Sequence, residues 1–332
     1  MGQYCKFQVV VRMNSSKVLL VLGGTGFIGR NIVEYYASSS SYTIYAVYNH
    51  TKPPLITNVT WIQANLTDKE QVENLFRSIN KIDIIIQGAA TTSGINDIIG
   101  NPKMHVTDNA IMNSLILNES SKYNIEHYIF FSCTIMLAAN GIKQRENDFD
   151  ANAVINPSYF GAAWTKIYIE KMCEFYSITG KSKFTVIRHS NIYGKYDKFD
   201  LLRSHVCGGT ITKVMRAVDH ITVWGNGEEY RDLLYVKDLL MFIDKVISRQ
   251  KDKFEIFNCG SGNSISINDL VDKIILISGK NISKFYDLSK PTIKNNIALN
   301  IEKSKNVLNW TPVYSLSEGL KETIEWWRSN LN

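Results

Sequence analysis

The sequence predicts an α/β fold, a doubly wound parallel sheet joined to a smaller C-terminal domain, and three observations carry that prediction. The first is the run Lys17 to Leu22, short, apolar and without helical spacing, which reads as a buried parallel strand. The second is the glycine triplet that follows it, Gly23, Gly26 and Gly29, leading into a segment with Ile28, Ile32, Val33 and Tyr36 at helical spacing. The third is repetition. Tyr42 to Tyr48, Val59 to Ala64 and Ile82 to Gln87 read as further strands, each separated by a stretch that can be helical.

Length and composition agree with this. A chain of 332 residues is longer than one ordinary core needs, and 45% apolar with 20% charged residues describes a soluble globular protein. No apolar run is long enough to span a bilayer, and the first sixteen residues read as a tail in which Met13 is an alternative start. The five cysteines are scattered and lack Cys-x-x-Cys spacing, which argues for reduced thiols in a cytoplasm and against zinc or any other bound metal. The formal charge of +6 suits anionic small ligands. Lys and Arg form no basic block, so nucleic acid is not expected as a partner, and neither is a membrane.

The spacing Gly-x-x-Gly-x-x-Gly after a strand and before a helix is a phosphate cradle of the Rossmann type. Gly23 allows a tight turn, Gly26 lets backbone approach a pyrophosphate, and Gly29 lets the helix pack close to the strand. The helix start offers free N–H groups and the positive end of its dipole to the anion. The residues expected around a dinucleotide here are Gly23, Thr25, Gly26, Phe27, Ile28 and Gly29. After the second strand come Asn49 and His50, with Thr51 and Lys52 beyond and no carboxylate for an adenosine ribose, so these residues leave the choice between NAD and NADP open. Asn65 and Leu66 either frame the adenine or belong to a helix N-cap. Ala89, Ala90 and Thr91 follow the fourth strand and are small enough to let a cofactor pass over the sheet edge.

Further along, Pro102 to Tyr123 reads as a long crossover helix, with Val106, Ala110, Asn113, Leu117 and Ser121 near one face. His127 to Phe131 is a fifth strand that delivers Ser132, Cys133 and Thr134 to its carboxyl end. A helix opens near Tyr159 and carries Lys166. Phe184 to Arg188 is a sixth strand, ending at His189 to Gly194. Leu201 to Asp219 looks helical, and Ile221 to Trp224 with Tyr230 to Asp232 reads as a hairpin, because Asn226-Gly227 suits a type I′ turn. Val236 to Val246 is a helix. Ser266 to Asp269 and Ser315 to Glu318 fit capping boxes, and the last helix is read as ending in Trp326-Trp327.

Taken together, Gly-Gly-Thr-Gly-Phe-Ile-Gly29, Ser132-Cys-Thr, Lys166, Arg188 to Gly194, Gly227-Glu-Glu-Tyr-Arg-Asp232 with Leu234-Tyr-Val-Lys-Asp-Leu239, and Asn258-Cys-Gly-Ser-Gly262 resemble the extended short-chain dehydrogenase/reductases that act on nucleotide sugars. The likeness runs from residue 17 nearly to the C-terminus. Ser204-His205-Val206 with Val223-Trp224-Gly225 is similar to the GDP-fucose synthase group. Phe160-Gly-Ala-Ala-Trp-Thr-Lys166 with Ile187-Arg-His-Ser-Asn-Ile-Tyr-Gly194 looks like a subgroup from polysaccharide gene clusters that includes GDP-heptose 4-dehydrogenase.

The resemblance implies a dinucleotide-binding domain of residues 17–188 plus 233–258 and a substrate domain of 189–232 plus 259–330. It implies NAD-dependent oxidation at C4 of a GDP-linked sugar, a heptose first of all, for capsular or surface polysaccharide synthesis. A nucleotide-sugar 4-epimerase or 4-reductase uses the same parts, and a non-catalytic NAD-binding sensor or scaffold is the third reading. By resemblance Lys166 holds the nicotinamide ribose, Thr134 and Cys133 position the reacting hydroxyl, His205 moves the proton, His189 lies at the cofactor, and Ser93, Asn191 and Arg231 bind the substrate. A homodimer is implied through the helices at 102–123 and 159–178.

One departure stands out. The family pattern is Tyr-x-x-x-Lys, and four residues before Lys166 stands Ala162. Tyr159 shares the helical face but lies roughly 10 Å further along the axis at 1.5 Å per residue, so it reads as packing or substrate contact.

Overall fold

The structure is a computed structural model that describes residues 16–92, 98, 100–290, 292 and 296–331. In chain order the strands are β1 Lys17–Leu22, β2 Tyr42–Tyr48, β3 Val59–Gln63, β4 Ile84–Gln87, β5 His127–Ser132, β6 Lys143–Gln144 and β7 Lys183–His189, followed by β8 Asn191–Tyr193, β9 His220–Trp224, β10 Tyr230–Tyr235, β11 Phe254–Cys259, β12 Ser264–Ser266, β13 Ser283–Asp287 and β14 Ala298–Leu299. The helices are α1 Phe27–Ala37, α2 Lys69–Arg77, α3 Thr107–Ser120, α4 Phe160–Thr179, α5 Val206–Arg216, α6 Val236–Arg249, α7 Ile267–Ser278, α8 Glu302–Leu308 and α9 Leu316–Leu331.

Seven strands form one sheet in the order β11-β7-β5-β4-β1-β2-β3, and every pairing in it is parallel. The order reverses direction at β1, which is the doubly wound arrangement. Both faces are covered, so apolar side chains are buried at both parities. Leu19, Val21, Ile84, Ile86, Ile129 and Phe131 pack on the side of α1 and α6, whereas Leu20, Leu22, Ile85, Tyr128 and Phe130 pack against residues of α2, α3 and α4. Each such fully buried side chain contributes about 1.5–3 kcal/mol before entropy is subtracted, so a two-sided core strongly fixes the strand register.

Three smaller sheets lie beyond the carboxyl edge: β12-β10-β8, β13-β9 and β14-β6. The expected hairpin is absent. β9 pairs in parallel with β13, while β10 pairs with β8 and β12. Its turn is not type I′, because that turn needs positive φ at both central residues and only Gly225 and Gly227 have it, Asn226 between them does not. Asn226 and Gly227 instead dock on α7, whose Asn268 donates to the Asn226 carbonyl through its side chain at 3.0 Å and to Gly227 through its backbone N–H at 3.0 Å.

Element ends shift elsewhere too. Ala64, Ile82 and Asp83 lie outside their strands, and 102–123 divides into a 3₁₀ turn, Pro102–His105, and α3. The buried face of α3 runs through Asn109, Met112, Asn113, Ile116 and Leu117, one step off the expected one. In 201–219 only Val206–Arg216 is helical, and α9 continues past Trp327 to Leu331. The Ser315 capping box is closed on both sides: Ser315 N–H donates to Glu318 Oε2 at 2.8 Å and Glu318 N–H to Ser315 Oγ at 3.3 Å.

Candidate functional site

The site begins where β1 runs into α1. Gly23 turns the chain at φ +77°, a left-handed conformation that glycine adopts freely, and a Cβ there would stand 2.7 Å from the Ala89 backbone. A Cβ on Gly29 would lie 2.1 Å from the Gly23 carbonyl oxygen. Gly29 therefore sets how closely α1 can approach the strand. Gly26 is the helix N-cap, its N–H already donates to the Gly23 carbonyl at 3.0 Å, and it has no side chain to cap the first turn. The N–H groups of Phe27, Ile28 and Gly29 are left to face outward with no acid among them. Thr25 sits at the mouth of the turn.

Around the cradle, Asn49 and His50 follow β2, and Gln63 Nε2 donates to the Asn49 carbonyl at 2.9 Å. Asn65 serves its own turn, accepting from Thr67 N–H at 3.1 Å and Thr67 Oγ1 at 2.9 Å, and Asp68 caps α2 by accepting from Gln71 N–H at 3.0 Å. Asp68 is thus the helix cap in this stretch, with Leu66 buried beside it. The loop Ala89 to Thr91 is held by a buried amide relay that sequence reasoning missed. Gln87 Nε2 donates to Asn113 Oδ1 at 3.0 Å, Gln87 Oε1 accepts from Ala89 N–H at 3.1 Å, and Asn109 exchanges bonds of 3.0 and 2.9 Å with the Thr91 backbone. The signal was available as Asn109 and Asn113 one turn apart on a helix face that is otherwise apolar. Ser93 lies outside the described residues.

At the end of β5, Lys166 reaches over from α4. Its Nζ donates to the Phe131 carbonyl at 2.8 Å and stands 4.7 Å from the centre of the Phe130 ring, and burial pulls its pKa down. Cys133 and Thr134 follow in the turn after β5. Burial raises the Cys133 pKa, opposed by the Lys166 charge beside it. Behind them lies a buried ion pair not foreseen as part of the site. Glu170, one turn after Lys166, accepts from Arg188 Nε at 3.0 Å, Arg188 Nη2 at 2.6 Å and Ser132 Oγ at 2.6 Å, while Arg188 Nη1 donates to the Glu146 carbonyl at 2.8 Å. It ties together the strand ends that carry Cys133 and His189 and the helix that carries Lys166. Removing one partner of such a pair costs several kcal/mol, because the other charge is stranded in the interior.

His189 caps β7 with Nδ1–H donating to the Ser190 carbonyl at 2.7 Å, leaving Nε2 as its acceptor. Burial, assisted by the nearby positive charge of Lys166, lowers its pKa to about 4. His205, at the N-cap of α5, is likewise lowered to about 4 by burial, with Lys198 and His105 acting in the same direction. Both imidazoles are neutral at pH 7.

An open cleft of about 1160 Å³ passes His205. Asn191 and Arg231 line it from adjacent strands, because β8 and β10 pair side by side, and Asn191 Nδ2 donates to the Asp232 carbonyl at 3.1 Å. Asp232 itself accepts from Ser261 N–H and Oγ at 2.8 Å each and from Leu299 N–H at 3.1 Å, which makes the Asn258 to Gly262 stretch a brace for this wall. The far end is apolar and basic. There Lys213 Nζ donates to the Thr222 carbonyl at 3.0 Å and lies 4.9 Å from the Trp224 ring centre. Tyr159 closes a 3₁₀ turn, Pro157–Tyr159, just ahead of α4 and lines the same cleft. Its hydroxyl has no hydrogen-bond partner among the described residues. Ala162, where the resemblance calls for a phenol, is half-buried on α4.

Asn191, His205 and Arg231 thus line one cleft, and Thr134 meets Asn191 and Arg231 in a small neighbouring pocket, whereas Lys166, Cys133 and His189 stand at the ends of β5 and β7 outside that lining. The cradle at Gly23 to Gly29, with three outward N–H groups and no side chain in the way, fits a dinucleotide pyrophosphate. Among the described residues no cluster of His, Cys, Asp or Glu could hold a metal ion, and no helix is long and apolar enough to cross a membrane.

The comparisons agree with this geometry. The chain is 24% identical over 320 residues to GDP-L-colitose synthase of Yersinia pseudotuberculosis, covering 95% of this chain and 99% of the relative. It is 28% identical over 324 residues to GDP-L-fucose synthase of Sinorhizobium fredii, covering 95% and 96%. The solved UDP-glucose 4-epimerase of Thermotoga maritima with UDP-glucose superposes with a TM-score of 0.83 at 25% identity, over 95% of this chain and 100% of that one. The family model described as NAD dependent epimerase/dehydratase family matches residues 19–260, and the chain belongs to that family.

Proposed function

We propose that this chain is an NAD-dependent oxidoreductase that oxidises C4 of a GDP-linked sugar, a heptose first of all, in the cytoplasm for capsular or surface polysaccharide synthesis. The observation that carries the reading is the run of Asn191, His205 and Arg231 along one cleft, at the sheet edge where Lys166 and Cys133 stand. In this reading 17–188 with 233–258 hold the dinucleotide, and 189–232 with 259–330 hold the substrate. Two of the relatives are named as synthases of GDP-linked sugars, which supports the nucleotide.

When bound, the nicotinamide takes up or returns a hydride. The chain's own residues do the rest. Lys166 donates to the ribose, and its charge, held in a poorly solvated site, favours an alkoxide developing nearby. Thr134 and Cys133 hold the reacting hydroxyl. Neutral His205 accepts the proton, which is the transfer that oxidation requires of a group uncharged at pH 7. Arg231 pairs with the diphosphate as a bidentate donor, and Trp224 with Lys213 forms the wall for the base. A homodimer is part of the proposal, built on α3 and α4, where Ile111, Tyr168, Phe175 and Ile178 are exposed.

The test is the absorbance spectrum of the purified protein with NAD, before and after GDP-, CDP-, UDP- and dTDP-linked sugars. A reduced-nicotinamide band that grows with a GDP-linked sugar is the expected result. No band with any sugar overturns oxidation, and product analysis then separates an epimerase or reductase from a protein that only binds NAD.

A further inference from the structure

A phenol that lines a cleft with no hydrogen-bond partner in the protein keeps its hydroxyl for whatever fills the cleft. Tyr159 is such a group. It stands at the end of the 3₁₀ turn Pro157–Tyr159 and lines the cleft with Asn191, His205 and Arg231, and no described residue bonds its hydroxyl. Two neighbours locate it further. Tyr159 is within electrostatic reach of both Arg231 and the Cys133 thiol. With Arg231 proposed at the diphosphate and Cys133 at the reacting hydroxyl, a group close to both is close to the sugar that joins them.

The geometry points to Tyr159 as a specificity residue whose hydroxyl donates a hydrogen bond to a hydroxyl of the sugar ring, separate from the proton-transfer machinery. This deepens the nucleotide-sugar reading above and rests on it. Burial raises the Tyr159 pKa, so at neutral pH the group is a neutral donor. Seven residues ahead of Lys166, its backbone lies roughly 10 Å from that of the lysine along the helix axis. The phenol and the lysine therefore do separate jobs.

The test compares wild type with Tyr159→Phe by titration calorimetry in the presence of NAD, using GDP-, UDP- and dTDP-linked sugars and the three free nucleoside diphosphates. For the pair in which the attached sugar adds most affinity to wild type, the variant is expected to bind the sugar nucleotide about two- to tenfold more weakly, as one neutral hydrogen bond predicts, and the nucleoside diphosphate unchanged. Turnover of that sugar should keep its kcat and pH profile while KM rises. Unchanged sugar-nucleotide affinity overturns the inference, as does equal weakening of the nucleoside diphosphate, which would put the hydroxyl on phosphate. A collapse of kcat with an altered pH profile also overturns it, by making Tyr159 the catalytic phenol. Wild type that gains no affinity from any sugar overturns the nucleotide-sugar reading itself, a result seen before the variant is made.

Discussion

At the residue scale the role proposed for His205 turns on its charge state. An exposed imidazole titrates near 6.5, so a general acid at His205 would be half charged near neutrality. Here burial beside Lys198 holds it at about 4. The rate under subsaturating substrate should therefore show no break near pH 6.5 from this group and should fall only as pH drops towards 4, where the acceptor becomes protonated. His205→Asn should lose turnover by about 10²- to 10⁴-fold while NAD still binds, measured by fluorescence quenching. A wild-type break at 6.5, or full activity in the variant, would remove His205 from the mechanism. Sequence identified the residue; its charge state depended on what packs around it.

At the element scale the strand-turn-helix of β1 and α1 divides work among its glycines in a way that spacing only partly conveys. Gly29 is fixed by contact, because a Cβ would meet the Gly23 carbonyl oxygen at 2.1 Å, backbone that has nowhere to move. At Gly26 the nearest atom would be 3.3 Å away. Gly29→Ala is thus expected to weaken NAD binding by about tenfold or more and to lower the melting temperature, with Gly26→Ala milder in stability. Thermal melts with and without NAD check this, and equal stability of the two variants would contradict it. The same scale explains the failed hairpin. Asn-Gly is a strong local turn signal, but the strands on either side have better partners in β8, β12 and β13, and side-chain bonds from α7 hold the turn in another form.

At the scale of the whole molecule, α3 and α4 lie together on the outside of the sheet. Ser114 Oγ and Tyr168 Oη are 3.1 Å apart, and Tyr168, Phe175 and Ile178 follow at helical spacing with Ile111 across from them. An apolar surface of this kind on a charged protein is expected to be covered, and a second copy meeting it around a twofold axis buries the same residues on both sides. Phe175→Glu combined with Ile178→Glu should turn a dimer into a monomer of intact fold, read by light scattering and circular dichroism. A monomeric wild type would sink the dimer outright.

What the sequence alone determined is whatever depends on local periodicity and short spacing: the alternation of strands and helices, the glycine cradle, Lys166 on its helix, and the missing phenol at Ala162. These are properties of neighbours in the chain, and the two-sided burial of the sheet enforces them. What only the tertiary structure decided involves residues far apart in sequence. Arg188, Glu170, Ser132 and Glu146 become one buried unit, Asn109 and Asn113 hold the loop at Thr91, and Asp232 ties Ser261 to Leu299. No pattern along the chain encodes such pairings, because each is selected by the cost of leaving a polar group unpaired where packing has already excluded water. The same exclusion of water sets His189 and His205 neutral.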